Sequence, residues 1–288
     1  MSNSTLWKAL INQGSSSPYP DNASVFKING DSLTFMYITT VEDCVVDFGD
    51  GTTQTYTGNN SLTEVTHNYS ESNIYTIKII GNHSNFRASR NIIELIQLSN
   101  SITNCSLMFS NCRSLAAIPS TLTIPNSVTN CSSMFYGCSN LAAIPETFTL
   151  GNSVTNCSYM FEGCSSLTTI PSTLTIPNSV TNCSGMFQNC SKITAIPETL
   201  KIPDSVTSCL YMFYGCSNLT SDISNIWPST WNSTGTINVR FMFYNCSKVV
   251  GNVPANKLWN SGKTFIPDSC FANCTSLTNY DEIPAEWK

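Results

Sequence analysis

The chain has 288 residues, enough for one large domain or two or three ordinary ones, and its 41% hydrophobic content supplies a core. Charged residues make up only 11%, less than half of the roughly 25% usual for soluble domains. A net charge of −5 with 13 Lys and Arg argues against a nucleic-acid partner, and two His leave little material for imidazole catalysis.

Residues 1–23 read as a leader and linker. Leu6, Trp7, Leu10 and Ile11 fall at helical spacing after Ser4-Thr5 and before Gly14 and the stiff Ser-Pro run to Pro20. Alone the segment is too short for a stable helix. It packs on the domain that follows or docks on a partner, a capsid or other virion protein being one kind. It is no secretory signal, because Lys8 interrupts its apolar cluster and Asn12-Gln13 ends it. No run anywhere approaches the ~18 consecutive apolar residues of a membrane span.

Residues 24–90 carry strand-like runs at Val25–Ile28, Leu33–Ile38, Cys44–Phe48, Val65–Tyr69 and Ile74–Ile80, with a tight turn at Asp50-Gly51. His83 falls in a Gly-Asn-His-Ser stretch that reads as a solvated loop. The phrases V-D-F-G-D-G-T, T-H-N-Y and Y-T-I-K-I resemble the polycystic-kidney-disease (PKD) domain, although Val46 stands where a Trp is common. The resemblance implies an immunoglobulin-like β-sandwich acting as a spacer or weak recognition module, with His67 in a structural hydrogen bond. Asp47 and Asp50 are a thin ligand set for Ca²⁺ and read as turn residues.

Residues 91–288 are built on a repeat. Met-Phe pairs at Met108, Met134, Met160, Met186 and Met212 recur every 26 residues, a sixth at Met242 follows after 30, and Cys270-Phe271 is a degenerate seventh. The unit reads N-S-V-T-N-C-S-x-M-F-x-x-C-S-x-L-x-x-I-P-x-T-L-x-I-P. C-x-x-M-F-x-x-C places apolar groups on one stripe of a short helix, with Asn130 or Ser208 as N-caps. The remainder is extended, since its prolines forbid a continuing helix. Neither piece buries its apolar face alone, so the units must stack. The run M-F-Y-G-C-S-N-L at 134–141, followed by I-P and N-S-V-T-N, resembles the BspA-like leucine-rich repeats of bacterial surface proteins. The expected fold is therefore mainly β with short helical turns: an N-terminal sandwich, then a right-handed leucine-rich-repeat solenoid of about seven units. Trp227 and Trp231 mark a longer sixth unit and an irregular C-terminal cap.

The repeated cysteines share the stripe of Met and Phe, which reads as small buried hydrophobes. Occasional bridges between neighbouring units stay open, since stacked positions ~5 Å apart approach the distance a disulfide tolerates. Asn104, Asn130, Asn156, Asn182 and Asn245 precede Cys-Ser as formal glycosylation sequons, and read better as caps or ladders inside the repeat.

No phosphate-binding loop, dinucleotide fingerprint, nucleophile elbow or zinc-protease motif occurs. Glu146 and Glu198 lie two units apart in the phrase I-P-E-T, which alternates with I-P-S-T as a surface position. No catalytic residue, metal set or cofactor is expected, and a carbohydrate-active enzyme is a distant alternative. The favoured expectation is a non-enzymatic recognition or adhesion protein binding a cell-surface glycan or protein. A virion surface component is slightly preferred, and a bacterial cell-surface adhesin is the alternative. The candidate binding residues flank the Met-Phe pairs: Tyr136, Tyr159, Tyr211, Tyr214 and Tyr244, with Tyr159 and Tyr211 ~10 Å apart. Trp227 and Trp231 are further candidates.

Overall fold

The computed structural model describes residues 18–30, 34–88, 90–231 and 235–288. The docking residues Leu6, Trp7, Leu10 and Ile11 lie outside them. The described chain is mainly β, with helix confined to short 3-10 turns at Ala255–Lys257, Tyr280–Glu282 and Ala285–Trp287.

Eight strands come first: β1 (Ala23–Gly30), β2 (Thr34–Thr40), β3 (Cys44–Asp47), β4 (Thr53–Tyr56), β5 (Leu62–His67), β6 (Asn73–Ile80), β7 (His83–Arg87) and β8 (Ile92–Gln97). They form two antiparallel sheets, ordered β4-β3-β6-β1-β8 and β5-β2-β7. Phe26, Ile28, Val46, Ile77 and Ile79 of the first sheet and Met36, Ile38, Val65 and Phe86 of the second are buried in one apolar cluster. Gly49 shapes the β3–β4 hairpin at φ 78°, where a Cβ would lie 2.6 Å from the Thr76 carbonyl oxygen. Asp47 bonds the Gly49 N–H and Lys78, while Asp50 bonds Thr52 and His67, so both carboxylates serve the turn. His67 also stacks on Phe48, with ring centroids 4.1 Å apart.

Three strands escape the sequence reading. β4 and β7 are mostly polar and lack a strong apolar alternation. β8 pairs with β1 and carries the sheet region past residue 90 to Gln97. His83 is a correction: the ring is buried in β7, not solvated in a loop. Its Nδ1 meets the Gly81 carbonyl, which can only accept, so Nδ1 carries the proton and Nε2 accepts from the Ser24 hydroxyl at 2.8 Å.

β7 also starts the repeat stack. The Ala88 N–H donates to the Met108 carbonyl, the N–H groups of Thr103 and Asn104 donate to Ser84, and Phe86 packs edge-on against Phe109. From there the phenylalanines stack face to face: Phe109, Phe135, Phe161, Phe187, Phe213, Phe243 and Phe271, with centroids 5.3–6.0 Å apart. Trp287 closes the column on Phe271 and accepts its N–H. Every Met and Phe of the repeated pairs is fully buried.

The predicted helical turn is not a helix. The N–H groups of Cys105, Leu107, Phe109 and Asn111 donate to Asn130, Ser132, Met134 and Tyr136 in the next unit. The alternate N–H groups of Met108, Ser110 and Cys112 close three-residue turns onto Cys105, Leu107 and Phe109. Two residues per unit have left-handed backbone, which a right-handed helix excludes. One position precedes the Met (Leu107, Ser133, Tyr159, Gly185, Tyr211, Phe241, Ser269; φ 53–59°). The other precedes the second Cys and is always Gly or Asn (φ 58–72°), the residues that adopt this conformation at least cost. The i, i+3, i+4, i+7 spacing still puts the same groups inside, which is why periodicity misreads it.

The predicted extended half of the unit is also turn-rich. Leu122 and Val128 donate to the carbonyls of Pro119 and Pro125, and inter-unit pairing is reduced to isolated parallel bridges such as Ala117 with Ala143. The one or two prolines of each unit lack the N–H that a continuous ladder needs. The longest column of bridges runs instead through Asn104, Asn130, Asn156, Asn182, Ser208 and Asn238. There the side-chain oxygens of Asn104, Asn130, Asn156 and Asn182 each accept the N–H two residues on, at 2.8–3.0 Å. Asn245 differs, holding a left-handed position where its amide oxygen accepts from Asn273. A final parallel pair, β9 (Ile237–Asn238) with β10 (Phe265–Ile266), completes the stack.

All 14 cysteines are free and buried. The second Cys of each unit does more than fill space. The thiols of Cys138, Cys164, Cys190, Cys216, Cys246 and Cys274 donate to the Phe carbonyl of the preceding unit at 3.0–3.2 Å. Burial pushes the Cys138 and Cys246 thiols up to about 12, so they stay protonated donors.

Candidate functional site

The two positions flanking each Met-Phe pair form adjacent columns on one face of the stack. In the first, Tyr211 stacks on Phe241 with centroids 5.2 Å apart; in the second, Tyr214 stacks on Tyr244 at the same distance. Within each unit the two rings meet edge to face, Tyr211 with Tyr214 at 5.4 Å and Phe241 with Tyr244 at 5.6 Å. The four half-exposed rings make a continuous aromatic patch. Arg240 lies over the Phe241 ring and pairs with Asp268, which closes the patch on that side.

Three of the predicted tyrosines, Tyr211, Tyr214 and Tyr244, are therefore in mutual contact. Tyr159 belongs to the same column two units earlier. Its ring crosses the backbone of Gly185, where a Cβ would sit 2.2 Å from the ring. The space that a side chain on Gly185 would fill is thus taken by Tyr159. Tyr136 lies two units before Gln188 in the second column and is the most exposed of the set, at 36%. Glu162 and Gln188 occupy the second column between Tyr136 and Tyr214. Burial pushes the Glu162 carboxyl up, and Gln188 Oε1 is buried with no hydrogen-bond partner among the described residues.

Trp227 and Trp231 are corrected: both are core residues, 2% and 3% exposed. Trp227 lies edge-on against Phe243 and Phe271, and Trp231 donates its indole N–H to the Lys257 carbonyl while packing on Phe265. The two tryptophans supply buried apolar volume in the longer unit. Glu146 is exposed and its carboxylate accepts from Ser172 and Thr173 of the next unit, a link between surface positions.

The residue types of the patch oppose the local backbone preference. Left-handed backbone costs any residue with a Cβ ~1–2 kcal/mol, a cost that Leu107, Ser133 and Ser269 also bear at this position and that Gly185 alone escapes. Tyr159, Tyr211 and Phe241 are held there regardless. Sequence reading located these positions by their place beside the Met-Phe pairs but had no signal for their left-handed backbone. It did not name as candidates Glu162 and Gln188, which stand between Tyr136 and Tyr214 in the second column.

Neither the curated proteins nor the solved structures contain a match to the chain. One family model does match, over residues 77–199, 103–225 and 177–283. The first two matches are displaced by one 26-residue unit, so the model aligns with the repeat in more than one register. Because these matches together run from residue 77 to 283, the chain belongs to the family described as Mycoplasma protein of unknown function, DUF285.

Proposed function

We propose that this is a non-enzymatic surface-recognition protein. A PKD-like, immunoglobulin-like β-sandwich carries a right-handed solenoid of BspA-like leucine-rich repeats, and the aromatic face of the solenoid binds the ligand. The observation that carries this reading is the continuous, half-exposed aromatic patch made by Tyr211, Tyr214, Phe241 and Tyr244. Exposed apolar surface gathered into one patch is a mark of a binding surface, and Tyr gives contact area at little rotamer cost. The two antiparallel sheets and the unit-to-unit hydrogen bonds support the fold reading. The place of display is a virion surface or, as the alternative, a bacterial cell surface.

The test replaces Tyr159, Tyr211 and Tyr214 together by Ser and compares the variant with the parent for binding to a panel of intact cells and to a glycan array. Loss of at least tenfold in binding by a variant with a native circular-dichroism spectrum supports the reading. Undiminished binding by such a variant removes this face from consideration.

A further inference from the structure

The run of aromatic residues from Tyr159 to Phe241 in the first column is interrupted at one unit, by Gly185. Gly185 offers no side chain to the neighbouring face of Tyr211, whose ring contacts are with Tyr214 and Phe241 on its other sides. The units before and after place Tyr159 and Tyr211 two rungs apart, ~10 Å at the usual strand spacing. That separation holds one six-membered ring between two aromatic rings. In the structure Tyr159 leans across Gly185 and fills the notch itself. Opening it takes a change of the Tyr159 side-chain rotamer.

Two of the polar groups beside the notch offer acceptor oxygens. Gln188 Oε1 lies 3.1 Å from where a Gly185 Cβ would be and has no donor among the described residues. Glu162 stands one unit earlier in the same column, and its N–H closes a turn onto the Tyr159 carbonyl. Arg240, the cation of this face, is engaged by Asp268 at the far end of the patch. A ligand that brings an apolar ring face and hydrogen-bond donors is therefore favoured here, and a negative charge would face the Glu162 carboxyl.

We infer that Tyr159, Gly185 and Tyr211, with Gln188 and Glu162, form a subsite for one pyranose ring of a neutral glycan. The C–H face of the sugar lies on Tyr211, Tyr159 swings out to cover the opposite face, and sugar hydroxyl or N-acetyl N–H groups donate to Gln188 Oε1 and Glu162. The rest of the glycan runs over Tyr214, Phe241 and Tyr244. This inference rests on the aromatic face being the recognition surface.

The experiment measures binding of the full chain, by calorimetry, to three tetrasaccharides of equal length: one of glucose, one of N-acetylglucosamine and one of galacturonic acid. Binding of at least one neutral tetramer, at least tenfold tighter than the uronic tetramer, is expected. Gly185→Ser fills the notch while keeping every tyrosine, and Ser133 and Ser269 show that the position accepts serine; it should weaken the neutral ligand at least tenfold. Gln188→Leu should weaken it severalfold, and Glu162→Gln should narrow the gap between neutral and anionic ligands. Equal binding of the uronic tetramer, or unchanged binding by folded Gly185→Ser, overturns the subsite. So does failure of all three tetramers while cell binding still depends on Tyr211. If cell binding survives the triple tyrosine variant, it is the underlying choice of face that fails.

Discussion

The thiol of Cys190 lies 3.0 Å from the carbonyl oxygen of Phe161, one unit earlier in the stack. That oxygen also accepts the Cys164 N–H, so it is not orphaned when the thiol is removed. Cys190→Ala should therefore cost about 1–2 kcal/mol, from a lost weak hydrogen bond and a small cavity. Cys190→Ser keeps a donor of similar size and should be the milder change in urea denaturation. A serine variant less stable than the alanine variant would show that the thiol acts by volume alone.

The 14 thiols are buried and free, which sets an expectation for their reactivity. Few should react with a thiol reagent in the native protein, and about 14 on unfolding without reductant, because burial blocks access and disfavours the reactive thiolate. Absence of reactive thiols after unfolding would mean that the columns had closed into disulfides.

Phe161 sits between Phe135 and Phe187, at 5.5 and 5.6 Å, with Phe148 edge-on at 6.2 Å. Phe161→Ala opens a cavity in a fully enclosed aromatic column and should destabilise by about 3–5 kcal/mol. Thermal and urea unfolding of the variant measure it. A cost below 1 kcal/mol would be incompatible with a rigid, continuous column.

His83 gives the protein an acid sensitivity of known sign. Burial pushes the ring down to about 4, against the upward pull of its bond to the Gly81 carbonyl. Above about pH 6.5 the ring is neutral in folded and unfolded chains alike. Between pH 6.5 and 4 the unfolded chain takes up a proton that the folded chain refuses, so stability falls by up to ~1.4 kcal/mol per pH unit. His83→Gln cannot titrate and should flatten this part of the stability profile. Asp50 acts lower. Burial raises its carboxyl, but the bonds from Thr52 and His67 outweigh that and hold it at about 2, so its contribution persists above about pH 4 and is lost as pH falls through 2.

The interior was legible because burial depends on periodicity and residue type. Met160, Phe161 and Cys164 recur at a fixed interval with the same apolar character, and any stacked arrangement puts them inside. The same periodicity assigned the wrong backbone. A 3.6-residue spacing and a chain of left-handed turns bury the same residues, and the difference lies in where every second N–H finds its carbonyl. That carbonyl belongs to another unit, 26 residues away, and no local propensity encodes it.

Trp227 and Tyr211 divide the site in the same way. Both are large aromatics in a repeat, and composition cannot tell them apart. Packing puts Trp227 against Phe243 and Phe271 in the core, and leaves Tyr211 half exposed beside a glycine. By itself the sequence determined the repeat, its length and the residues of its core, because those are properties of single positions and their spacing. Only the tertiary structure decided the turn-by-turn backbone, the thiol-to-carbonyl bonds and the notch at Gly185, because each arises between units and exists only once they are stacked.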